Sequence, residues 1–188
     1  MKKALLAIAA VALVATACGQ NKKNKTTETE TQSKILVAYF SATGTTEAVA
    51  KQLAEVTEGT LYEIKPEVRY TEADLDWRNA DSRSSVEMKD TTSRPSIVKD
   101  LNDLDQYETV YIGFPVWWYT APTIINTFLD SYDLSGKTVI FFATSGGSDL
   151  EKANAQFKKQ YPSLNWKEGK TLNGATKEDI AAWVKTLQ

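Results

Sequence analysis

The chain has 188 residues, a formal net charge of −2 at pH 7, no histidine and a single cysteine, Cys18. Without histidine, the sequence excludes a Ser-His-Asp or Cys-His nucleophile system and any histidine-ligated zinc or iron site. One cysteine also excludes a disulfide within the chain. We therefore expect the chemistry to come from a bound cofactor, carboxylates, hydroxyls or backbone groups, and we predict neither a metal ion nor a catalytic side chain.

The first 18 residues have the pattern of a secretory signal peptide. Lys2 and Lys3 precede an apolar run that is too short and wrongly flanked for a membrane span. The segment Ala15-Thr16-Ala17-Cys18 resembles the lipobox of bacterial lipoproteins, in which the cysteine is diacylated and becomes the mature N-terminus. We predict an exported lipoprotein that is anchored to the cell membrane or the outer membrane by lipid on Cys18. A buried N-terminal helix and a free thiol are the alternatives.

The next segment, residues 19–33, contains no large apolar residue. Such a stretch buries too little surface to offset its chain entropy, so it predicts a disordered tether. Residues 34–188 remain, which is enough for one domain with a substantial core. Loss of residues 1–18 removes two lysines and no acidic residue, so the net charge falls from −2 to −4. A mildly acidic domain argues against nucleic acid as a partner, and we expect a monomer.

Strand and helix patterns alternate about five times along this domain. The predicted strands are residues 35–40, 60–64, 109–114 and 137–143, with a short fifth strand within 164–172. Predicted helices lie between them, including one over 95–103, one over 149–161 and a last one that begins at a capping box, Thr176–Asp179. Residues 65–94 are polar and irregular, and we expect short helical pieces there, with Val86 and Met88 in contact with the core. The alternation predicts a parallel sheet with helices on both faces.

A hydroxyl-rich loop separates the first strand from the first helix. Hydroxyls, backbone N–H groups, a glycine and a helix N-terminus are what a phosphate monoester needs from a protein. No lysine follows the glycine, so this is not a Walker-type loop, and the GxGxxG spacing of dinucleotide sites is absent. A plain Ser/Thr-rich helix cap is the alternative. The candidate phosphate-binding residues are Ser41, Ala42, Thr43, Gly44, Thr45 and Thr46.

This loop, S-x-T-G-T-T after ILVAYF, resembles the T/S-x-T/S-G-x-T loop that wraps the FMN phosphate in flavodoxins. Tyr70, Glu87, Arg94-Pro95, GFPVWWYTAP and GKTVIFFATSGGS follow in the order found in a bacterial flavodoxin subfamily, so the resemblance covers about residues 34–150. It implies an α/β, flavodoxin-like fold, with a three-layer, doubly wound, five-stranded parallel sheet in the order 2-1-3-4-5. It also implies non-covalently bound FMN at the switch point between strands 1 and 3.

A second loop leaves the end of the third strand and is rich in aromatic residues. An isoalloxazine ring has a large apolar face and a polar edge, and an indole satisfies the face by stacking. Trp117 and Trp118 are the stacking candidates, with the alternative that one aromatic residue belongs to the core and the others to the surface. The candidate cofactor-binding residues here are Pro115, Val116, Trp117, Trp118 and Tyr119.

A third loop, at the end of the fourth strand, contains Thr144, Ser145, Gly146, Gly147 and Ser148. Its glycines permit close backbone approach to a planar ligand. The resemblance implies hydrogen bonds from this loop to the pyrimidine edge of the flavin, and a plain glycine-rich turn is the alternative. The loop lacks the tyrosine that covers the other flavin face in small flavodoxins. That face is therefore open unless residues 65–94 cover it.

Together these features predict an FMN-binding electron-transfer protein tethered to a bacterial membrane. A covered flavin face favours one-electron exchange with redox partner proteins. An open face would admit a nicotinamide or a quinone, as in an FMN-dependent NAD(P)H/quinone oxidoreductase. In both versions the protein fixes the flavin and tunes its potential, and Glu87 is either a polar contact near the site or a solvated charge. A third reading is a non-redox lipoprotein that binds another ligand or a protein on the same fold.

Overall fold

A six-stranded parallel sheet forms the middle layer of the domain. The computed structural model describes residues 34–187. Its strands are β1 (Ile35–Tyr39), β2 (Thr60–Glu63), β3 (Thr109–Pro115), β4 (Thr138–Thr144), β5 (Asn165–Trp166) and β6 (Lys170–Thr171). They lie in the order β2-β1-β3-β4-β5, and β6 pairs with β4 further along, at Phe142 and Ala143. The predicted order 2-1-3-4-5 is confirmed.

Helices cover both faces of the sheet. They are α1 (Thr45–Thr57), α2 (Arg83–Lys89), α3 (Ile124–Ser131), α4 (Glu151–Gln160) and α5 (Lys177–Lys185), with 3-10 turns at Ala73–Leu75 and Leu104–Gln106. Successive residues of a strand point to opposite faces of its sheet. Val37 and Tyr111 accordingly belong to a core cluster with residues of α1 and α5, whereas Leu36 and Val110 belong to a second cluster with residues of α3 and α4. The predicted three layers are confirmed.

The layer between the sheet and α3 and α4 is filled by aromatic side chains. Phe114, Phe141 and Phe157 are fully buried. The ring centroids of Phe114 and Phe141 are 4.9 Å apart, and those of Phe141 and Phe157 are 5.1 Å apart, both in edge-to-face geometry. Such pairs contribute about 0.5–1.5 kcal/mol each beyond the area that they bury. This packing makes the sheet a rigid support for the loops at its carboxyl edge.

The predicted fifth strand is split into the two short strands β5 and β6. A Cβ atom on Gly169 would lie 2.5 Å from the carbonyl oxygen of Phe141, so only glycine lets the chain pass this close to β4. On either side of it, Lys167 N–H donates to the carbonyl of Val139 and Leu172 N–H donates to a carbonyl of β4 at 2.8 Å. Both halves therefore remain attached to the same neighbouring strand.

The helix predicted over residues 95–103 is wrong, since these residues form no helix. Ile97 instead makes an antiparallel bridge with Pro66. Pro95 and Ile97 are buried while the residue after each is exposed, which is the two-residue period of an extended chain. The proline suggested a helix start, but pairing with the segment after β2 decides the conformation.

Residues 65–94 contain the predicted short helical pieces, a 3-10 turn and α2. The expected contact of Val86 with the core is wrong, because its side chain is 52% exposed, and Met88 is only half-buried. The buried residues of α2 are Ser84 and Ser85. Small polar side chains rather than apolar ones therefore lie on the inner side of this helix.

The predicted signal peptide, Cys18 and the tether lie outside the described residues. Among residues 34–187, no helix has the length and apolar character needed to span a membrane. Export, lipidation and membrane anchoring stay predictions.

Candidate functional site

Three loops follow the carboxyl ends of the central strands β1, β3 and β4 and meet at one edge of the sheet. They are the first loop (Ser41–Thr46), the second loop (Pro115–Tyr119) and the third loop (Thr144–Ser148). Thr144 connects them. Its Oγ1 lies 2.8 Å from the Oγ1 of Thr46, and its carbonyl oxygen accepts a hydrogen bond from Val116 N–H at 2.8 Å. The fold thus brings together the three segments that the sequence indicated.

The first loop presents hydroxyl groups to solvent at the N-terminus of α1. Gly44 has a φ of 89°, in the left-handed region that favours glycine, and its N–H donates to Ser41 Oγ at 3.1 Å. Thr43 and Thr45 are exposed, and their Oγ1 atoms lie 3.4 Å apart. The first N–H groups of a helix lack partners within the helix and attract anions. This arrangement can hold a phosphate group.

One acidic residue, Glu47, lies in the first turn of α1, where its charge opposes anion binding. Its carboxylate lies 2.6 Å from the Nζ of Lys51, one turn later in the helix. The lysine partly compensates the carboxylate charge. Glu47 therefore weakens an anion site at the first loop less than an unpaired carboxylate would.

Thr46 differs from the other hydroxyl residues of the first loop. Its side chain is 1% exposed and its hydroxyl is paired with that of Thr144. The hydroxyl therefore fastens the first loop to β4, while the backbone N–H of Thr46 lies in the first turn of α1. As a candidate phosphate contact, Thr46 is placed to act through its backbone.

The second loop makes a tight turn with two aromatic residues at its centre. Trp117 and Thr120 exchange both of their backbone N–H···O hydrogen bonds, each at 2.9 Å. Between them, Trp118 and Tyr119 have φ values of 45° and 66°. Two positive φ values are the type I′ pattern, which favours Asn-Gly and costs other residues roughly 1–2 kcal/mol each. Strain of this kind in non-glycine residues is found mostly at functional sites.

The two stacking candidates of the second loop have different surroundings. Trp117 is half-buried, and its ring centroid lies 5.7 Å from that of Phe40 and 5.6 Å from that of Tyr70, edge-on to both. Trp118 is 45% exposed and Tyr119 is 61% exposed. Trp117 therefore packs against the core with part of its ring, whereas Trp118 and Tyr119 expose more of their aromatic surface.

A part-buried polar network ties α2 to the second loop. The Tyr70 hydroxyl donates to one carboxylate oxygen of Glu87 at 2.5 Å, and Arg83 Nε donates to the other at 2.7 Å. The Arg83 guanidinium also lies over the Tyr70 ring, 3.9 Å from its centroid. Burial, followed by the hydrogen bond to Glu87, raises the pKa of Tyr70 above its usual value, so the phenol stays a donor. Glu87 is therefore a network residue that holds α2 near Trp117.

A cavity of about 510 Å³ opens between the first and second loops and the segment that carries α2. This size suits a small-molecule ligand, and its wall is mostly apolar and aromatic. The first loop borders the cavity, so the exposed hydroxyls and the cavity adjoin. The lining residues are Ala42, Thr43, Leu75, Trp77, Ser84, Pro115, Val116, Trp117, Trp118, Tyr119 and Ser148.

The third loop uses most of its polar groups internally. Ser145 Oγ accepts hydrogen bonds from the N–H groups of Gly147 and Ser148 at 3.1 and 2.7 Å. Ser145 N–H donates to Asn173 Oδ1 at 2.6 Å. Ser145, Gly146 and Gly147 line an adjoining hollow of about 380 Å³, and Ser148 lines both this hollow and the cavity between the loops. The structure thus places Ser148, but not the two glycines, on the cavity wall.

Three residues of the cavity wall were not predicted as site residues: Leu75, Trp77 and Ser84. All three come from the irregular segment between β2 and β3, which lies outside the strand-end loops. Trp77 is 70% exposed although it borders an apolar cavity. Two signals in the sequence pointed to this segment: Leu75 and Trp77 are apolar residues in a polar stretch, and the third loop lacks an aromatic residue that could cover the second flavin face.

Solved structures with the same fold include two candidate flavoproteins from Bacteroides. The protein from Bacteroides eggerthii is 52% identical over 82% of this chain and 98% of its own, with a TM-score of 0.80. The protein from Bacteroides uniformis is 55% identical over 82% of this chain and 99% of its own, also with a TM-score of 0.80. A flavoprotein from Lactobacillus acidophilus in complex with FMN is 24% identical over 81% of this chain and 99% of its own, with a TM-score of 0.63. At 24% identity, the similarity to the Lactobacillus acidophilus protein shows only that the two chains share a fold.

A curated relative from Escherichia coli K12, an uncharacterised NAD(P)H oxidoreductase, is 32% identical over 78 residues, or 40% of this chain. The match spans about a third, 35%, of that relative's length. The family model for flavodoxin matches residues 34–187, the whole of the described domain. The chain therefore belongs to the flavodoxin family.

Proposed function

We propose that this domain binds FMN non-covalently and transfers electrons through it. The observation that carries the proposal is the continuity of two sites. The exposed hydroxyls of Thr43 and Thr45 at the N-terminus of α1 adjoin an aromatic-walled cavity of about 510 Å³. FMN combines a phosphate with a large planar ring, and these two sites fit its two ends. The FMN complex of the Lactobacillus acidophilus flavoprotein, which shares the fold, supports this choice.

Each part of the site would act on a different part of the cofactor. The hydroxyls of the first loop and the N–H groups of the first turn of α1 would hold the phosphate. Trp118 and Tyr119 would contact the ring, with Trp117 and Tyr70 supporting the turn that carries them. When bound, FMN supplies the redox chemistry. The chain's own residues bind it, orient its ring, exclude water from the cavity and set the polarity around it.

An electron carrier is the first choice because residues 65–94 contribute to the cavity wall. Trp77 lines the cavity, and a tryptophan there can cover the flavin face for which the third loop has no aromatic residue. A covered face favours one-electron exchange with a redox partner protein. The second candidate is an FMN-dependent NAD(P)H/quinone oxidoreductase, which the partial match with the Escherichia coli NAD(P)H oxidoreductase favours.

The proposal is tested on the purified protein by its absorption spectrum and by the identity of the cofactor that heat releases. We expect a yellow protein with the spectrum of oxidised flavin and a released compound that co-elutes with FMN rather than FAD or riboflavin. A colourless protein that takes up no FMN on reconstitution would contradict the proposal and favour a non-redox binding lipoprotein.

Carrier and reductase differ in their response to small reductants. For the carrier, we expect NADH or NADPH alone to leave the flavin spectrum unchanged when oxygen and quinone are absent, and added quinone to cause no consumption of NADH or NADPH. A chemical reductant such as dithionite serves as the positive control, since it should bleach the same sample. Rapid bleaching by NADH or NADPH would instead favour the oxidoreductase.

We further propose that the protein is exported and held at a membrane by lipid on Cys18. Two features of the sequence support this proposal. Ala15-Thr16-Ala17 before Cys18 resembles a lipobox, and an apolar run lies between Lys2-Lys3 and the polar residues that follow Cys18. Expressed in a bacterium, the full chain should sediment with membranes and partition into detergent, and the Cys18→Ala variant should do neither. Detergent partitioning of the Cys18→Ala variant at the wild-type level would contradict lipidation at this residue.

A further inference from the structure

Ser84 is a buried hydroxyl residue on the wall of the cavity. Its side chain is 2% exposed, and its Oγ has no hydrogen-bond partner among residues 34–187. Buried hydroxyls in folded proteins are nearly always hydrogen-bonded, because an unpaired one carries a desolvation penalty. An unpaired hydroxyl that borders a ligand cavity therefore points to a partner supplied by the ligand.

The helix does not supply the usual internal partner of such a serine. The carbonyl oxygen four residues earlier, to which a serine inside a helix can donate, here belongs to Ala80, which precedes the N-cap Ser82. That oxygen accepts a hydrogen bond from Lys89 Nζ at 2.8 Å. The next residue, Ser85, is equally buried, but its hydroxyl is paired with that of Ser82 at 2.9 Å. Two adjacent buried serines of one helix thus differ in whether the protein satisfies them.

The position of Ser84 is set by contacts on both sides of it in α2. Arg83 and Glu87 join the network with Tyr70, which packs against the second loop. Ser82 caps the helix, accepting a hydrogen bond from Ser85 N–H at 3.3 Å. Ser84 is therefore held at the cavity wall by its helix, so its hydroxyl is pre-positioned for a ligand.

We propose that the Ser84 hydroxyl is a hydrogen-bond partner of the polar edge of the bound flavin ring, an inference that rests on the proposed FMN function. A serine hydroxyl both donates and accepts, so it can serve a ring carbonyl oxygen or a ring N–H. In the third loop, Ser148 lines the cavity, whereas Ser145, Gly146 and Gly147 line the adjoining hollow. The helix inserted between β2 and β3 would therefore contribute to flavin recognition beside the three strand-end loops.

The test compares Ser84→Ala with its matched control, Ser85→Ala. In the FMN-free protein, Ser84→Ala should leave the urea midpoint unchanged or raise it, because no internal hydrogen bond is lost and alanine favours a helix. Its FMN affinity should fall roughly three- to tenfold, the usual effect of one neutral hydrogen bond. Ser85→Ala should lower the urea midpoint and leave the FMN affinity within about twofold, since it removes a hydrogen bond of the fold.

Infrared difference spectra of bound FMN provide a readout that does not depend on affinity. Loss of a hydrogen bond to a ring carbonyl or N–H should shift a ring band in the Ser84→Ala complex, and the Ser85→Ala complex should match the wild type. Wild-type affinity and an unshifted spectrum in Ser84→Ala would overturn the proposal, as would a loss of apoprotein stability equal to that of Ser85→Ala. If the wild-type protein binds no FMN at all, the proposed function itself fails.

Discussion

The first and third loops lie at the same edge of the sheet and are both rich in small hydroxyl residues, yet they use their hydroxyls differently. In the first loop, Thr43 and Thr45 are exposed beside a helix N-terminus. In the third loop, Ser145 Oγ accepts two N–H groups of its own loop, and Ser145 N–H is taken by Asn173. The first loop thus leaves two hydroxyls exposed, whereas the third loop uses the Ser145 hydroxyl to hold its own shape.

This difference shows that composition alone does not separate a binding loop from a structural one. Serine, threonine and glycine satisfy a turn as readily as they bind an anion, because their side chains bond to nearby backbone groups. The distinguishing property is the partner of each donor and acceptor. Four sets of variants test whether the loops are as different as their hydrogen bonds indicate, and they follow in order of expected effect.

The largest effect is expected when both exposed hydroxyls of the first loop are removed. The double variant Thr43→Val/Thr45→Val keeps the shape of the side chains and should weaken FMN binding by about 100-fold, since each hydrogen bond to a charged group is worth roughly 1.5 kcal/mol or more. The unfolding free energy of the apoprotein should change by less than about 0.5 kcal/mol. Fluorescence titration and urea unfolding measure the two quantities. An FMN affinity within threefold of wild type would show that the exposed hydroxyls of the first loop do not bind the phosphate.

The next effect concerns Thr144, where the two loops are joined. Thr144→Val leaves the buried hydroxyl of Thr46 without its partner and should lower the unfolding free energy by about 1–3 kcal/mol in urea. The double variant Thr46→Val/Thr144→Val should lose less than the sum of the two single variants, because it leaves no buried hydroxyl unpaired. Strictly additive losses would show that the hydroxyl pair does not connect the loops.

A substitution in the tight turn of the second loop should have opposite effects on protein stability and on FMN binding. Tyr119→Gly relieves a positive φ and should raise the apoprotein unfolding free energy by about 1 kcal/mol, while it weakens FMN binding because an aromatic contact is lost. The Nζ of Lys152 lies 5.4 Å from the Tyr119 ring centroid. Lys152→Ala therefore serves as the control for loss of this cation–π contact. A less stable Tyr119→Gly protein would mean that the tyrosine is structural.

The smallest effect is expected in the third loop. Ser145→Ala removes the acceptor for the N–H groups of Gly147 and Ser148 and should cost about 0.5–1 kcal/mol of unfolding free energy. Its FMN affinity should stay within about twofold of wild type, because the two N–H groups and the hydroxyl serve the loop itself. A tenfold loss of affinity would show that the third loop binds the ligand as directly as the first.

The alternation of strands and helices predicted the three layers, and the resemblance to flavodoxins implied the order of the strands, but the irregular segment could not be predicted. β1, β3 and β4 are continuous apolar runs, and the capping box at Thr176 forms as expected, with its Oγ1 accepting from Asp179 N–H. The helix predicted over 95–103 failed because Ile97 pairs with Pro66, a residue about thirty positions earlier. The prediction for Val86 was wrong because α2 has only seven residues, too few for the sequence pattern to show which side of the helix is buried.

The sequence by itself determined the strands, most helices and the three loops of the site, because hydrophobic periodicity, caps and turn residues are properties of short segments. Tertiary structure alone decided which hydroxyls are available. Thr46 is bound to a residue 98 positions away, and Trp77 and Ser84 reach the cavity from a segment without a readable pattern. A polar group's partner depends on how distant segments pack, and no local pattern records that.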